Sequence, residues 1–406
     1  MSGLKFCFPT TFYPPYSFGG DAVGVQRLAR ALVRRGHEVT VVHDIDAFNA
    51  VNHAGDPKLL TNDDGVRVIG LKNKLGRVSP FLTQQTGRPL ANSERLREIL
   101  DNGKFDVINF HNASLIGGPG IFSYGRNATK LYMAHEHWLV CPTHVLWRFK
   151  KELCTGKKCV RCQIVYKRPP QTWRMSGLLE NELHHIDSFI AMSEFSRAKH
   201  REFGFPREMD VIPYFLPDPV PDGDHEVFAL PHPRPYFLFV GRLEKIKGLD
   251  EVIPLFRTFK DADLLIAGDG NYEEELRKLA GENRRVTFLG RVPFERLRSY
   301  YQHAVATIVP SVCYETFGII LIESFRQKTP VIARRLGPFP EIVDQAQGGE
   351  LFSNDEELIS AMRKLLGDSE HRYRLAQNAY AASIDLWSES AVVPRYLELV
   401  ERYRRT

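Results

Sequence analysis

Short apolar runs alternate with amphipathic segments along most of this chain. The first run, 4–8 (LKFCF), predicts a buried strand, and the amphipathic segment 21–36 follows it after a loop. The apolar positions of that segment are Val25, Leu28, Ala29, Leu32 and Val33. Their spacing of three and four places one apolar stripe along a helix, and Gly36 is well placed to end that helix. The next run, 38–42, completes a strand–helix–strand unit, which predicts a parallel sheet.

Two further series of strand candidates follow, one in each half of the chain. They lie at 105–110, 130–135 and 188–193, and then at 236–241, 263–268, 285–290, 305–310 and 330–334. The segment 216–235 between them is rich in proline and aspartate and is interpreted as a linker. The pattern therefore predicts two doubly wound α/β domains, 1–215 and 216–385. Ligands of such folds bind at the carboxyl ends of the strands.

Composition and charge agree with a two-domain globular protein. The chain has 406 residues, of which 43% are hydrophobic and 25% charged, and its formal net charge is +5. Mild basicity suits anionic small molecules or a membrane surface and falls short of a nucleic-acid coat. Neither a signal peptide nor a membrane-spanning run is apparent. We therefore expect a cytoplasmic protein, with peripheral contact at the inner face of the membrane as one option.

Two glutamates flank an almost continuous apolar run in the segment 311–332 (SVCYETFGIILIESFRQKTPVI). Carboxylates are seldom buried without a partner, so Glu315 and Glu323 call for polar ligands. The strand candidate 305–310 runs into this segment, which predicts Glu315 at the edge of the sheet and Glu323 on the following helix. Such carboxylates suit sugar hydroxyl groups. The alternative is a helix cap and a stray charge, which fits Glu323 poorly because its neighbours are apolar.

Several loops after strand candidates carry groups that suit phosphate. The start of the helix after Glu315 offers the backbone amides of Gly318 and Ile319, and the helix dipole adds roughly 0.3–2 kcal/mol for an anion there. Gly19 and Gly20 open an earlier helix and allow a close approach of backbone to an anion. A plain turn is the alternative for that glycine pair.

A cationic loop follows the strand candidate 236–241. Arg242 and Lys247 in this loop (GRLEKIKG) are suited to converge on phosphate oxygens. Taken singly, each is also consistent with a solvated surface cation.

Four of the six cysteines crowd into one segment. Cys141, Cys154, Cys159 and Cys162 form a C-x12-C-x4-C-x2-C pattern, which suits a tetrahedral structural zinc. An iron–sulfur cluster, a redox pair and four reduced thiols are the alternatives. The surrounding loop, 138–175, is basic, and we consider contact with an acceptor, contact with anionic lipid, and a merely solvated loop.

Taken together, these pieces resemble the retaining glycosyltransferases of the family 4 type (glycosyl transferases group 1). The matching pieces are GGDAVGVQRLARALVRRGHEVTVV, FDVINFHN, FIAMSEFSR, FVGRLEKIKG, LLIAGDG, VTFLGRVP and VPSVCYETFGIILIESF…TPVIARRLGPFPEIV. The resemblance implies a GT-B architecture, with two Rossmann-like domains facing a central cleft and a C-terminal helix, 386–406, that crosses back onto the first domain. It also implies sugar transfer from a UDP- or GDP-linked hexose to a hydroxyl acceptor with retention at the anomeric carbon.

The resemblance assigns roles to individual residues. Glu315 matches the glutamate that contacts the donor sugar near the reacting carbon, and Glu323 matches the one that holds the ribose. Arg242 and Lys247 match the pair that neutralises the diphosphate.

Further positions match the family's donor site and its active-site histidine. Phe317, Gly318 and Ile319 supply the amides at the helix start, and Val292 matches the backbone position that binds the base. His111 matches the active-site histidine. No metal is expected in catalysis.

The chain departs from the family pattern at a few positions. Asn109 stands where an HxH motif begins, Lys328 replaces a usual glycine, Gly337-Pro338 replaces a Gly–Gly pair, and VIPYFLPDP lacks an Asn-Gly turn. These changes leave the identity of the donor sugar open. A nucleotide-sugar epimerase of the same fold is the alternative enzyme. A nucleic-acid-binding protein with a zinc knuckle fits less well, and no nucleic-acid partner is expected.

Overall fold

The computed structural model describes residues 3–52, 57–219 and 229–405. By contacts between Cα atoms, the chain divides into two units. Unit 1 comprises Met1–Pro213 together with Val392–Thr406, and unit 2 comprises Tyr214–Ala391. Among the described residues, no helix combines the length and the apolar character needed to cross a membrane.

Unit 1 is built on an eight-stranded sheet. Its strands are β1 (Lys5–Pro9), β2 (Glu38–Asp44), β3 (Asn62–Asp63), β4 (Val66–Leu71), β5 (Val107–Phe110), β6 (Thr129–Ala134), β9 (Ser188–Ala191) and β10 (Met209–Val211), and β7 (Trp147–Arg148) and β8 (Glu152–Leu153) form a separate hairpin. The order in the large sheet is β10-β9-β6-β5-β1-β2-β4-β3. All neighbours are parallel except β3 and β4.

The helices of unit 1 connect these strands. They are α1 (Gly20–Arg34), α2 (Ile45–Val51), α3 (Val78–Thr86), α4 (Ser93–Asn102), α5 (Cys159–Val165), α6 (Leu178–Glu182) and α7 (Glu194–Glu202). The apolar stripe predicted for α1 faces the core, because Val25, Leu28, Ala29 and Leu32 are all buried. Gly36 follows the helix with φ +83°, the left-handed conformation expected of the residue that stops it.

Unit 2 is built on a six-stranded parallel sheet in the order β13-β12-β11-β14-β15-β16. Its strands are β11 (Tyr236–Val240), β12 (Asp263–Ala267), β13 (Val286–Gly290), β14 (Ala306–Val309), β15 (Val331–Arg334) and β16 (Gly349–Phe352). Its helices are α8 (Leu249–Val252), α9 (Glu273–Ala280), α10 (Phe294–His303), α11 (Ile319–Arg326), α12 (Phe339–Ala346), α13 (Asp355–Gly367) and α14 (Ser369–Asp385), and α15 (Glu389–Tyr403) follows.

The strands predicted from apolar runs are confirmed in both units. Strands β11, β12 and β14 are almost wholly buried, which is why they read as continuous apolar runs and lack alternation. The sequence analysis missed the short strands β3, β7, β8, β10 and β16, and also β4, which carries the polar residue Arg67. The predicted linker is 216–235, and its residues 220–228 lie outside the described residues. From Val392 onward, the terminal helix belongs to unit 1, and its Tyr396 hydroxyl accepts a hydrogen bond from Asn109 Nδ2 at 3.0 Å.

Lys328, at a position where the resemblance leads us to expect glycine, occupies a turn that favours glycine. Its φ is +56°, in the left-handed region. Its ammonium lies 4.7 Å from the centre of the Tyr380 ring, a contact that glycine could not make. The chain therefore keeps the backbone of that turn with a side chain that packs onto α14.

Candidate active site

The cationic loop of unit 2 begins directly after the central strand β11. It ends in a 3₁₀ turn, Lys245–Lys247, followed by Gly248 with φ +72°. A Cβ at Gly248 would lie 2.2 Å from the carbonyl oxygen of Pro310, so only glycine lets the turn pass this close to the end of β14. The amide of Val312 donates to the carbonyl oxygen of Ile246 at 2.9 Å. These contacts bind the loop after β11 to the loop after β14.

The loop after β12 packs on the other side of the cationic loop, backbone against backbone. A Cβ at Gly268 would lie 1.9 Å from the carbonyl oxygen of Gly241, and one at Gly270 would lie 2.4 Å from that of Leu243. The Leu243 amide donates to the carbonyl oxygen of Asp269 at 2.7 Å. The glycines of the AGDG sequence therefore let two loops share one narrow layer at the carboxyl edge of the sheet.

The contact between these loops brings Lys247 to Glu315. The Lys247 ammonium lies 2.6 Å from Glu315 Oε1, and the Ser311 hydroxyl donates to the same oxygen at 3.1 Å. Burial raises the pKa of Glu315, but the charge of Lys247 and the two hydrogen bonds outweigh it, so the net pKa lies below the usual value. Burial likewise lowers the pKa of Lys247 and the carboxylate outweighs it, so both groups are charged at neutral pH.

The Lys247–Glu315 ion pair is held by hydrogen bonds and is still partly exposed, so a ligand can reach it. The exposed fractions of the two side chains are 20% for Lys247 and 24% for Glu315. Lys247 has three N–H donors, so one ammonium can hold Glu315 and a second anion together. The arrangement presents one cation and one carboxylate side by side at the edge of the sheet.

Arg242 lies at the start of the same loop and is more exposed. Its side chain is 51% exposed, and its guanidinium lies 2.8 Å from Glu244 Oε1. An ion pair this exposed holds its geometry weakly. Arg242 is therefore free to turn toward an anionic ligand at little cost.

Helix α11 begins four residues after Glu315. Gly318 precedes it with φ +127°, and a Cβ there would lie 2.8 Å from the Phe339 ring. The Phe317 ring packs toward the core, 5.8 Å from Tyr214 and 6.4 Å from Trp387, and fixes the start of the helix. The first amides of a helix have no partner within the helix and attract an anion, and here these are the amides of Ile319 and Ile320, since that of Leu321 already donates to the carbonyl oxygen of Gly318 at 2.9 Å.

Glu323 is the one residue of 321–327 that is not buried. It lies on the second turn of α11, on a helix that otherwise packs into unit 2. Val292 follows β13 at the far edge of the sheet and packs against the apolar cluster around Tyr236 and Leu265. The structure therefore places all the predicted donor-binding residues of unit 2 in loops or helix starts after the carboxyl ends of strands, with Glu323 one turn into its helix.

In unit 1, the predicted histidine belongs to a buried pair. His111 follows β5 and is fully buried, and its Nδ1 lies 2.8 Å from Nε2 of His135, which follows β6. Burial lowers the pKa of both imidazoles, and the charge of Asp21 on α1 offsets part of that effect at His135. Both rings are therefore neutral at pH 7, with one nitrogen of the contact donating and the other accepting.

The loop after β1 sets the start of α1 beside this pair. Phe18 stacks on Phe48 with 4.6 Å between ring centres, and Phe12 packs edge-on to Phe18 at 5.4 Å. Gly19 is extended, and α1 begins at Gly20. The aromatic contacts therefore fix the glycine pair at the carboxyl edge of the sheet, where its helix start can face an anion.

Two residues of these sites were not singled out from the sequence. His135 is slightly more exposed than His111 and lies on its outer side, toward Asp21. Its signal was present, since HEH (135–137) begins at the last residue of the strand candidate 130–135. Ser311 fixes Glu315 but had no signal, because only the folded turn shows where its hydroxyl points.

The four clustered cysteines lie together, although not as a formed metal shell. Cys141, Cys154, Cys159 and Cys162 line one small cavity, and all are free thiols. Within the described ranges, no group of three or more histidine, cysteine, aspartate or glutamate side chains is arranged to hold a metal ion. The coordination shell expected from the sequence is therefore not formed by the side chains as they stand.

Two family models match the chain, and its α/β fold with parallel sheets is that of the GT-B glycosyltransferases. The model of the glycosyl transferases group 1 family matches residues 222–382, and that of Glycosyltransferase Family 4 matches residues 18–216. Together the two models span most of the chain. The chain belongs to these group 1, family 4-type glycosyltransferases, as its motifs predicted.

Curated relatives match over nearly their whole length. An uncharacterized glycosyltransferase of Methanocaldococcus jannaschii, MJ1607, is 25% identical and the match covers 93% of this chain and 92% of the relative. A D-inositol 3-phosphate glycosyltransferase of Xylanimonas cellulosilytica is 27% identical, covering 92% of this chain and 89% of the relative.

Solved structures confirm the fold. Sucrose-phosphate synthase from Thermosynechococcus elongatus has a TM-score of 0.74 at 20% identity and covers 98% of both chains. Anabaena HepE in complex with UDP-glucose has a TM-score of 0.66 at 16% identity, covering 98% of this chain and 100% of HepE. At these identities the likeness concerns the fold.

Proposed function

We propose that this glycosyltransferase moves a hexose from a UDP- or GDP-linked donor to a hydroxyl acceptor with retention at the anomeric carbon. The observation that carries the proposal is the Lys247–Glu315 pair at the edge of the sheet, four residues before the start of α11. A nucleotide diphosphate sugar needs cationic groups and amides for its phosphates and carboxylates for its hydroxyl groups. Anabaena HepE, a structural neighbour, is known in complex with UDP-glucose, which supports this donor class.

In this proposal the phosphates lie against Lys247, Arg242 and the first amides of α11. Negative charge grows on the diphosphate as the bond to the sugar breaks, so cations fixed in advance lower the barrier. Lys247 is fixed by its bond to Glu315, whereas Arg242 must swing in from its exposed position. We therefore assign Lys247 the larger share of leaving-group stabilisation.

Glu315 would accept hydrogen bonds from the donor sugar near the reacting carbon, and Glu323 from the ribose. The ionised state of Glu315 suits this task, since a carboxylate accepts from two hydroxyl groups at once. Its charge also favours the positive character that develops on the sugar ring. Retention would then follow from departure of the diphosphate and attack of the acceptor on the same face, with a phosphate oxygen taking the proton of the acceptor.

For unit 1 we propose that the His135–His111 pair serves the acceptor. A neutral imidazole can accept a hydrogen bond from the acceptor hydroxyl group and orient it, and the inner ring fixes the tautomer of the outer one. His111 then supports His135 from behind, because His111 is fully buried. This assignment moves the direct contact from the histidine predicted from sequence to its hydrogen-bond partner.

The test is Glu315→Gln, assayed with a panel of UDP- and GDP-sugars. We expect kcat/KM to fall about 10- to 100-fold, since a hydrogen bond to a charged group contributes roughly 1.5–3 kcal/mol. The anomeric configuration of the product, measured by proton NMR, checks retention. Glu356→Gln, an exposed glutamate on α13, is the matched control. Full activity of Glu315→Gln, or an inverted product, would contradict the proposal. Assays with and without added Mg²⁺ check the prediction that catalysis needs no metal.

We further propose that unit 1 contacts a membrane surface through α3 and the segment before it. The side chains of Leu75, Val78 and Phe81 are about half exposed. Residues 65–93 contain five lysines and arginines and no aspartate or glutamate. Exposed apolar groups within a purely cationic stretch fit an anionic bilayer, at roughly 1 kcal/mol per cation.

This surface is tested by sedimentation with vesicles of neutral lipid and of neutral lipid mixed with anionic lipid. We expect binding only to the anionic vesicles, and weaker binding for Phe81→Ser. Tyr373→Ser, a similarly exposed aromatic residue of unit 2, should bind as the unaltered protein does. Equal sedimentation with both kinds of vesicle, or none, would count against membrane contact and leave the sugar-transfer proposal unaffected.

A further inference from the structure

The four clustered cysteines reach one cavity from three separate segments of unit 1. Cys141 follows the 3₁₀ turn His137–Leu139, Cys154 follows β8, and Cys159 and Cys162 lie one turn apart on α5. All four line a cavity of about 20 Å³. That volume holds about one water-sized body, which is enough for a single ion.

The segment that carries these cysteines has very little apolar burial of its own. Between residues 148 and 170, the only buried residues are Cys162 and Gln163. Val160, Ile164 and Val165 on α5 are exposed. Ordering a hairpin and a short helix costs conformational entropy that this segment does not recover by burial. Small elements in this situation usually depend on a cross-link through a metal or disulfides.

Hydrogen bonds already orient the hairpin toward the cavity. The Cys154 amide donates to the carbonyl oxygen of Leu146 at 2.8 Å, and the Phe149 amide donates to Cys162 Sγ at 3.4 Å. Backbone amides that donate to a sulfur stabilise it as a metal ligand. The hairpin thus supplies both a cysteine and a donor to another cysteine.

A cation beside the cavity has uncharged hydrogen-bond partners. The Arg174 guanidinium donates to the Gln171 side-chain oxygen at 2.7 Å and to the Trp138 carbonyl oxygen at 2.9 Å, and it lies over the rings of Trp138 and Trp173. Its charge also acts on Cys141 and Cys159. Four thiolates around one divalent ion carry a net charge of −2, so a filled site would give this arginine a neutralising counter-charge.

We propose that Cys141, Cys154, Cys159 and Cys162 bind one zinc ion as a closed, structural tetrahedral site. Four thiolates select a soft ion with tetrahedral geometry. Because the thiols line the cavity without forming a shell, binding draws the sulfurs inward by rotation about the Cα–Cβ bonds, each of which has three staggered positions. The ion then fastens the β7–β8 hairpin and α5 to the chain that follows β6.

The experiment measures metal content and does not depend on activity. Protein purified under reducing conditions with zinc present should contain one zinc per chain by elemental analysis. Titration of the zinc-free protein with Co²⁺ should give the absorption of a tetrahedral thiolate complex at one equivalent. Cys159→Ser and Cys162→Ser should each lose the stoichiometric ion, whereas Cys7→Ala, a buried cysteine of β1, should keep it.

Hydrogen exchange shows which residues zinc stabilises. It also tests the zinc site in the unaltered protein if the serine variants fail to fold. Removal of zinc from the unaltered protein should raise exchange in residues 141–170 and leave α11 of unit 2 unchanged. Zinc-free protein with four titratable thiols and no cobalt complex would overturn the proposal. So would iron with inorganic sulfide, or disulfides between these cysteines detected by mass spectrometry.

Discussion

The carboxyl edges of the two parallel sheets carry different chemistry. The edge of unit 2 holds opposite charges in contact, Lys247 with Glu315 and Arg242 with Glu244. The edge of unit 1 holds the neutral, buried imidazoles of His111 and His135. Charges of both signs suit a ligand that is itself both anionic and rich in hydroxyl groups. Neutral imidazoles suit proton transfer or orientation of a hydroxyl group, so one fold repeated twice supports two tasks.

The same difference appears in how the two edges are built. In unit 2, glycines let the loops after β11, β12 and β14 pack backbone against backbone, so the ion pair rests on a rigid layer. In unit 1, the histidines are fixed by side-chain contacts, such as the edge-on packing of Phe8 against His111 at 4.7 Å between ring centres. A rigid charged layer favours leaving-group stabilisation, because fixed charges need no reorganisation during the reaction.

The largest effect is expected when the charged edge is broken at Lys247. Lys247→Ala removes a cation from the proposed phosphate site and leaves Glu315 without its ionic partner. We expect kcat/KM to fall about 100- to 1000-fold, the range seen when a preorganised electrostatic contact is removed. Binding of UDP and GDP, measured by calorimetry, should weaken as well. Lys245→Ala, in the same 3₁₀ turn but exposed, should change kcat/KM less than threefold; equal losses in the two variants would contradict the assignment.

The next largest effect is expected from a substitution at the carboxyl edge of unit 1, where the neutral imidazoles of His111 and His135 lie. His135→Gln keeps a hydrogen-bonding side chain beside His111 but removes the imidazole that is proposed to orient the acceptor hydroxyl group. We expect kcat to fall about 100-fold, the loss that misplacement of a reacting group can cause. Nucleotide affinity should stay unchanged, since the proposed contacts of Lys247 and Arg242 with the phosphates and of Glu323 with the ribose lie in unit 2. Loss of nucleotide binding together with kcat would show that this substitution damages the fold more broadly.

A smaller effect is expected from widening the glycine-packed layer. Gly268→Ala places a Cβ against the carbonyl oxygen of Gly241. The alanine must also adopt the φ of +143° that Gly268 has, which is unfavourable for a residue with a side chain. We expect the free energy of unfolding to fall by about 2 kcal/mol, within the range for strained backbone positions. Urea unfolding measures it. Gly367→Ala, where a Cβ has open space at the end of α13, should cost less than 0.5 kcal/mol. Similar losses at both positions would contradict the tight packing of the loops.

The smallest effect per residue concerns the buried histidines of unit 1. Burial lowers the pKa of His43 and of His200 from 6.5 to about 4 in each case. The fold favours the neutral form, so the stability they contribute is fully present above pH 6.5 and is lost as the pH falls toward 4. Between pH 7 and pH 5 we expect a loss of roughly 1–2 kcal/mol per histidine.

Thermal unfolding at the two pH values measures this loss. His200→Gln removes one of the titrating groups, so this variant should lose less stability than the unaltered protein over the same window. A midpoint that does not change between pH 7 and pH 5, or an unchanged pH dependence in the variant, would contradict the lowered pKa of these two histidines.

The positions of the proposed donor-binding residues around Glu315 could be predicted from the sequence because the signals there are local. The apolar run that ends in β14, the turn with Glu315 and the start of α11 occupy consecutive residues. A parallel strand that is buried on both faces appears in the sequence as an apolar run. The start of this helix appears as a glycine followed by the residues of an apolar face. The neighbouring strand and loop patterns, repeated in both halves of the chain, likewise determined the α/β class.

The tertiary structure decided which distant groups meet. Lys247 and Glu315 are 68 residues apart, and the close passage of Gly248 over Pro310 joins them. The partner of His111 is 24 residues away on the next strand of the sheet, and sheet order alone makes them neighbours. Spacing in the sequence suggested that four cysteines act together, but their approach to one cavity depends on a hairpin and a helix folding onto each other. Local periodicity encodes an element, whereas contacts between elements depend on packing that no short stretch of sequence contains.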